Sequence, residues 1–90
     1  MTLLTARLAM LSAMYTIYGK PDCPYCVKAS NLLEQHSMAY HYINISSNES
    51  ARQYVKETLG FKTVPVIVDS DGAVVGGYDD LAAKFGSDLF

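Results

Sequence analysis

The chain holds two cysteines in 90 residues, and they sit together: Cys23 and Cys26, separated by Pro24 and Tyr25. A thiolate, not a thiol, is the nucleophile in disulfide exchange, and an unperturbed cysteine ionises near about pH 8.5. Three local features favour the thiolate of Cys23. Pro24 suits the first position of a helix, where its missing N–H costs nothing. Cys23 then lies at the helix N-terminus, where the dipole and unpaired N–H groups favour negative charge. The backbone N–H of Cys26 falls within reach of the Cys23 sulfur, as in an N-cap, and Lys20 adds a positive charge nearby. Asp22 opposes these, although its carboxylate can point to solvent. Cys23 is expected to be exposed and to attack, and Cys26, one turn further in, to be shielded and to resolve the mixed disulfide.

Two other uses of the pair compare poorly. A bond across two residues closes a very small loop, and small secreted domains held by disulfides usually carry four or more cysteines. His36 and His41 complete a C-x2-C-x9-H-x4-H pattern, superficially a zinc finger. The Cys-to-His gap is shorter than the finger's usual twelve or so, and Pro24 starts a helix where a finger needs a turn. No metal is therefore expected.

The elements that must position the pair follow from patterning. Tyr15 to Tyr18 reads as a strand, ending at the loop Gly19-Lys20-Pro21-Asp22. Pro24 to about His36 reads as a helix with Cys26, Ala29 and Leu33 on one face. Ala39 to Ile45 is a second strand. Ser46 and Glu49 offer a capping box for a helix carrying Ala51, Tyr54, Val55, Thr58 and Leu59, which Gly60 stops. Val64 to Val68 is a short apolar strand, joined through Asp69-Ser70-Asp71-Gly72 to Ala73-Val74-Val75 as a hairpin. After Gly76-Gly77, either Asp79 or Asp80 can cap a last helix using Leu81, Ala82 and Phe85. The order βαβαββα predicts an α/β fold with a mixed four-stranded sheet flanked by helices.

Composition bounds the remainder. Ninety residues, half of them apolar, make one domain. A net charge of −2 gives no general reason to expect nucleic-acid binding. No apolar stretch approaches the roughly 18 residues a membrane span needs. Residues 1–13 differ in character, being apolar and rich in small residues, with Arg7 interrupting the apolar centre. They read as a dispensable extension, and residues 14–90 as the domain.

The sequence resembles the dithiol glutaredoxins of the thioredoxin fold over essentially all of Tyr15 to Phe85. The resemblance rests on Cys23-Pro24-Tyr25-Cys26, Lys20 ahead of it, Thr63-Val64-Pro65 about forty residues on, and Gly76-Gly77-Tyr78-Asp79-Asp80 before the last helix. It implies a cis peptide bond before Pro65, leaving the Val64 backbone groups free to pair with the cysteinyl part of glutathione. It also implies glutathione as co-substrate, without a tightly bound cofactor. The γ-glutamyl end would lie at the start of the last helix, with Gly77, Asp79 and Asp80, Asp80 matching the family's acidic residue. Lys20, with Lys62 or Arg52, would hold the glycyl carboxylate; Tyr25 and Tyr78 would form apolar walls, beside Thr63.

The stretch from Ala51 to Val55 through Gly60-Phe61 also resembles NrdH-like redoxins, which thioredoxin reductase reduces; Thr63 and Asp79-Asp80 favour the glutaredoxins. Asp71-Gly72 followed by Gly-Gly-Tyr-Asp is similar to small phage-type glutaredoxins. The resemblance implies a cytoplasmic monomer acting on disulfide-containing client proteins, ribonucleotide reductase among them. Some family members bind iron–sulfur clusters, but these usually carry a smaller residue where Pro24 stands.

Overall fold

The computed structural model describes residues 14–85; the extension expected over residues 1–13 lies outside them. Strand β1 (Met14–Gly19) alternates half-buried and buried positions, the period-two pattern of a strand between two layers. Helix α1 (Pro24–Gln35) turns Cys26, Ala29 and Leu33 inward. There follow β2 (Ala39–Asn44), α2 (Glu49–Gln53) continued by a π-helical turn (Tyr54–Thr58), β3 (Val66–Val68), β4 (Val74–Gly76) and α3 (Tyr78–Lys84). The βαβαββα order is the one patterning predicts.

The strands lie in the order β2-β1-β3-β4. Strands β1 and β2 run parallel, from Met14 opposite Ala39 to Gly19 opposite Asn44. Parallel neighbours need a long crossover, which α1 supplies. Strand β3 is antiparallel to both β1 and β4. Side chains alternate across a strand, so consecutive residues of β3 serve different cores. Ile67 joins Tyr15, Ile17, Ala29, Leu33 and Leu81 on the face covered by α1 and α3. Val66 joins Ile45, Ala51 and Val55 on the other face. Fully burying such aliphatic chains contributes about 1.5–3 kcal/mol each, which selects the all-apolar β3 for a central place.

Four local expectations change. The Ser46–Glu49 capping box does not form: α2 starts at Glu49, and Asn48 is its N-cap, accepting the Ala51 N–H at 3.0 Å. Glu49 is thus the first helical residue, not the third, and pairs with Arg52. Tyr54 and Thr58 face solvent, because the chain widens to a π turn that buries Val55; the Tyr54 ring rests against Tyr18. Strand β3 begins at Val66, because Pro65 has no N–H for the ladder. Strand β4 begins at Val74, because Ala73 is engaged by the turn: its N–H donates to the Asp69 carboxylate and its carbonyl accepts the Asp69 N–H. The last helix is capped differently again, as described below.

Candidate active site

Cys23 is the N-cap of α1, with extended backbone, and Pro24 is the first helical residue. The Cys23 sulfur accepts the backbone N–H of Cys26 at 3.2 Å. This is the position at which a helix can stabilise a developing sulfur anion. The two sulfurs are joined in a disulfide. Cys26 is fully buried, and Cys23 is half-buried instead of exposed. The loop before β3 lies against it: the Val64 carbonyl oxygen is 3.9 Å from its sulfur. The Val64–Pro65 peptide bond is cis.

A cleft of about 240 Å³ brings together residues from three separate parts of the chain. Tyr25 comes from the start of α1, Thr63, Val64 and Pro65 from the loop before β3, and Gly77, Tyr78, Asp79 and Asp80 from the start of α3. The Tyr25 and Tyr78 rings meet across it, with centroids 5.9 Å apart. Helix α3 is capped by a glycine, with help from Asp80. Gly77 is the N-cap, and the Asp80 carboxylate accepts the Gly77 N–H at 3.0 Å. The preceding Gly76 has φ +123°, and a Cβ there would collide with the Asp80 carboxylate. Gly76 is thus what lets an acidic side chain fold back over the helix start.

Lys20, Arg52 and Lys62 are not in that cleft. They line a neighbouring pocket of about 350 Å³, which shares Thr63 and Val64 as a common wall. His36 is away from the cysteines, and His41 lies on β2 opposite Thr16. His36 caps the far end of α1 and stacks on Phe85 at 4.3 Å. Ten residues of helix separate it from Cys26, about 15 Å at 1.5 Å per residue. One tetrahedral zinc, with ligands at about 2.0–2.3 Å, does not span that distance.

Several contributors carry no clear signal in the sequence. The ammonium of Lys28 sits 4.9 Å from the Tyr25 ring centroid and 6.0 Å from that of Tyr78, at cation–π range. Tyr42 on β2 donates its hydroxyl to the Lys20 carbonyl at 2.7 Å; burial raises its pKa above the usual tyrosine value. A Cβ on Gly19 would lie 2.6 Å from the Tyr42 hydroxyl oxygen and 2.8 Å from the Cys26 sulfur. Only the spacing of Lys28 from Tyr25, one helical turn, was available to find any of these.

The fold, with a cysteine pair at the start of its first helix, defines a thioredoxin-like protein. A sequence model of the glutaredoxins matches residues 15–74. Glutaredoxin 1 of Rickettsia conorii is 40% identical over 67 residues, covering 72% of this chain and 65% of its own. Glutaredoxin 3 of Escherichia coli is 37% identical over 67 residues, covering 74% of this chain and 80% of its own. The solution structure of a Brucella melitensis glutaredoxin is 34% identical, with a TM-score of 0.68 over 81% of this chain and 78% of that one. The chain belongs to the glutaredoxin family. It spans just under two thirds of the length of the Rickettsia conorii relative. Among the described residues, no helix is long and apolar enough to cross a membrane.

Proposed function

We propose that the protein is a glutathione-dependent thiol–disulfide oxidoreductase that reduces protein disulfides and glutathione mixed disulfides. The Cys23 thiolate attacks one sulfur of the target, forming a mixed disulfide as the target's other sulfur leaves with the electron pair. The Cys26 thiolate then attacks the Cys23 sulfur and releases the second target thiol. Two electrons have passed from the dithiol to the target, and two glutathione molecules restore the dithiol as glutathione disulfide. With a glutathione mixed disulfide, a second glutathione replaces Cys26 in the resolving step.

The observation that carries this reading is the cleft between Tyr25 and the start of α3, whose Val64 wall reaches the Cys23 sulfur, acidic at one end and adjoining a cationic pocket at the other. Glutathione carries two carboxylates and one ammonium and needs both signs of charge. Its cysteinyl backbone pairs with Val64, beside Cys23. Asp80 takes the ammonium, and the first N–H groups of α3 take the γ-glutamyl carboxylate. Lys20, with Arg52 or Lys62, takes the glycyl carboxylate. The activity belongs to a monomer in the cytoplasm, where the glutathione pool is reducing. Ribonucleotide reductase is a client to test on family grounds alone.

The test is turnover of a small mixed disulfide with NADPH and each of two reductases. Turnover is expected with glutathione and glutathione reductase. Turnover with thioredoxin reductase alone, indifferent to glutathione, would establish the NrdH-like reading instead. Cys23→Ser is expected to lose all exchange. Cys26→Ser is expected to keep exchange with glutathione mixed disulfides and to be impaired on protein disulfides.

A further inference from the structure

The pocket on the far side of Thr63 and Val64 is more cationic than a single carboxylate requires. Lys20, Arg52, Lys56 and Lys62 all line it, over a floor that includes Val55 and Phe61. Four of the chain's seven basic residues thus meet in one pocket of a protein whose net charge is −2. Lys20, Lys56 and Lys62 are exposed and make no ion pair among the described residues. Arg52 is bound to Glu49 at 3.2 Å, but Glu49 is 71% exposed, so solvent screens that pair. The glycyl carboxylate of glutathione supplies one negative charge. The surplus charge is unmatched.

We infer that this pocket docks the segment that follows the reactive cysteine of a client protein, and that it selects clients with acidic side chains there. The inference rests on the glutathione reading for its direction. With the γ-glutamyl end at Asp79 and Asp80, chain direction at Val64 runs from the acidic cleft toward Lys20. A client peptide paired with Val64 in the same sense carries the residues after its cysteine into the cationic pocket. The half-buried Phe61 offers apolar surface to the methylene stems of glutamates, whose carboxylates reach the lysines. Charges at such a rim act mainly on association rate and its salt dependence.

The experiment uses single-cysteine peptides activated as pyridyl disulfides and the full chain carrying Cys26→Ser. Cys23 attacks the peptide sulfur, the peptide–pyridyl S–S bond breaks, and the electron pair leaves on 2-thiopyridone, whose absorbance reports the rate. Three peptides are compared: Cys followed by three Glu, three Glu followed by Cys, and Cys followed by three Ser. The first is expected to react about three- to tenfold faster than the second at low salt, as for two or three screened ion pairs. At about 1 M salt, where the screening length falls to roughly 3 Å, the advantage disappears. Adding Lys56→Glu is expected to abolish the preference while leaving the serine peptide's rate unchanged. Equal rates for the two acidic peptides, or a preference that survives Lys56→Glu, would overturn the inference. The glutathione reductase assay, run in parallel on the unaltered protein, separates the two readings. Glutathione turnover without a peptide preference removes the docking pocket alone, and a preference without glutathione turnover removes the glutathione reading alone.

Discussion

The hydroxyl of Tyr42, in the middle of β2, donates a 2.7 Å hydrogen bond to the backbone carbonyl of Lys20, tying an edge strand to the loop that leads into the cysteine pair. Removing the hydroxyl leaves that carbonyl to water. Tyr42→Phe is expected to lower stability by about 0.5–1.5 kcal/mol, the usual net worth of such a bond. The urea midpoint of the oxidised protein measures it, and exchange through Cys23 should persist.

Gly19 makes a sharper case, because the same hydroxyl and the Cys26 sulfur crowd the place its Cβ would take. Cys26 is fully buried and cannot retreat, and Tyr42 can do so only by giving up its hydrogen bond. Gly19→Ala is expected to cost about 1–3 kcal/mol through overpacking. Combined with Tyr42→Phe, the loss should be smaller than the sum of the single losses, since the nearest clash is gone. Strict additivity in urea unfolding would refute the contact.

Asp80 caps α3, and one substitution can separate that from the glutathione contact proposed for it. Asp80→Asn keeps an oxygen for the Gly77 N–H and removes the charge. Stability should fall by less than about 1 kcal/mol, the typical worth of a whole cap. KM for glutathione should rise about two- to fivefold, the scale of a solvated ion pair, with kcat little changed. An unchanged KM would leave Asp80 with capping alone.

Alkaline pH should destabilise the fold through its tyrosines. The pKa of Tyr18 is raised, chiefly by burial and then by Tyr54. That of Tyr40 is raised first by its hydrogen bond to Glu34, and that of Tyr42 by burial. With raised values in the folded state, the unfolded chain loses phenolic protons first as pH climbs past about 10. The native state then binds more protons than the unfolded one, so stability falls with rising pH. The contribution is fully present below that pH and disappears as pH rises through the folded values. Urea midpoints between pH 8 and 11, on the order of the tyrosine range, should decline. Tyr42→Phe should flatten the decline.

Leu33 tests the larger core. It is fully buried, between α1 and the sheet. Leu33→Ala is expected to cost about 2–5 kcal/mol, against a total of about 5–15 kcal/mol for a typical domain. Thermal unfolding of the oxidised protein gives the value.

The parts legible in the sequence are those with local causes. Pro24 after Cys23 marks the start of α1, and period-two and helical spacing locate β1, β2 and the inner face of α1. The cap of α2 is not legible locally, because Ser46 and Asn48 both have capping side chains and a shift of two residues decides which one meets a free N–H. At the start of α3 the sequence offers Asp79 or Asp80 as the cap; Asp80 does take part, but from the third helical position by folding back onto the Gly77 N–H, which Gly76 permits.

By itself the sequence determined the reactive pair, the order of the elements and the family, because motif spacing and side-chain periodicity are properties of short segments. The tertiary structure alone decided which distant residues share a site. It put Tyr25, Val64 and Asp80 around one cleft and moved Lys20, Arg52 and Lys62 into another. It also brought the Tyr42 hydroxyl and the Cys26 sulfur together against Gly19. Those neighbours meet because two apolar cores close on the sheet at once, and no local pattern encodes that closure.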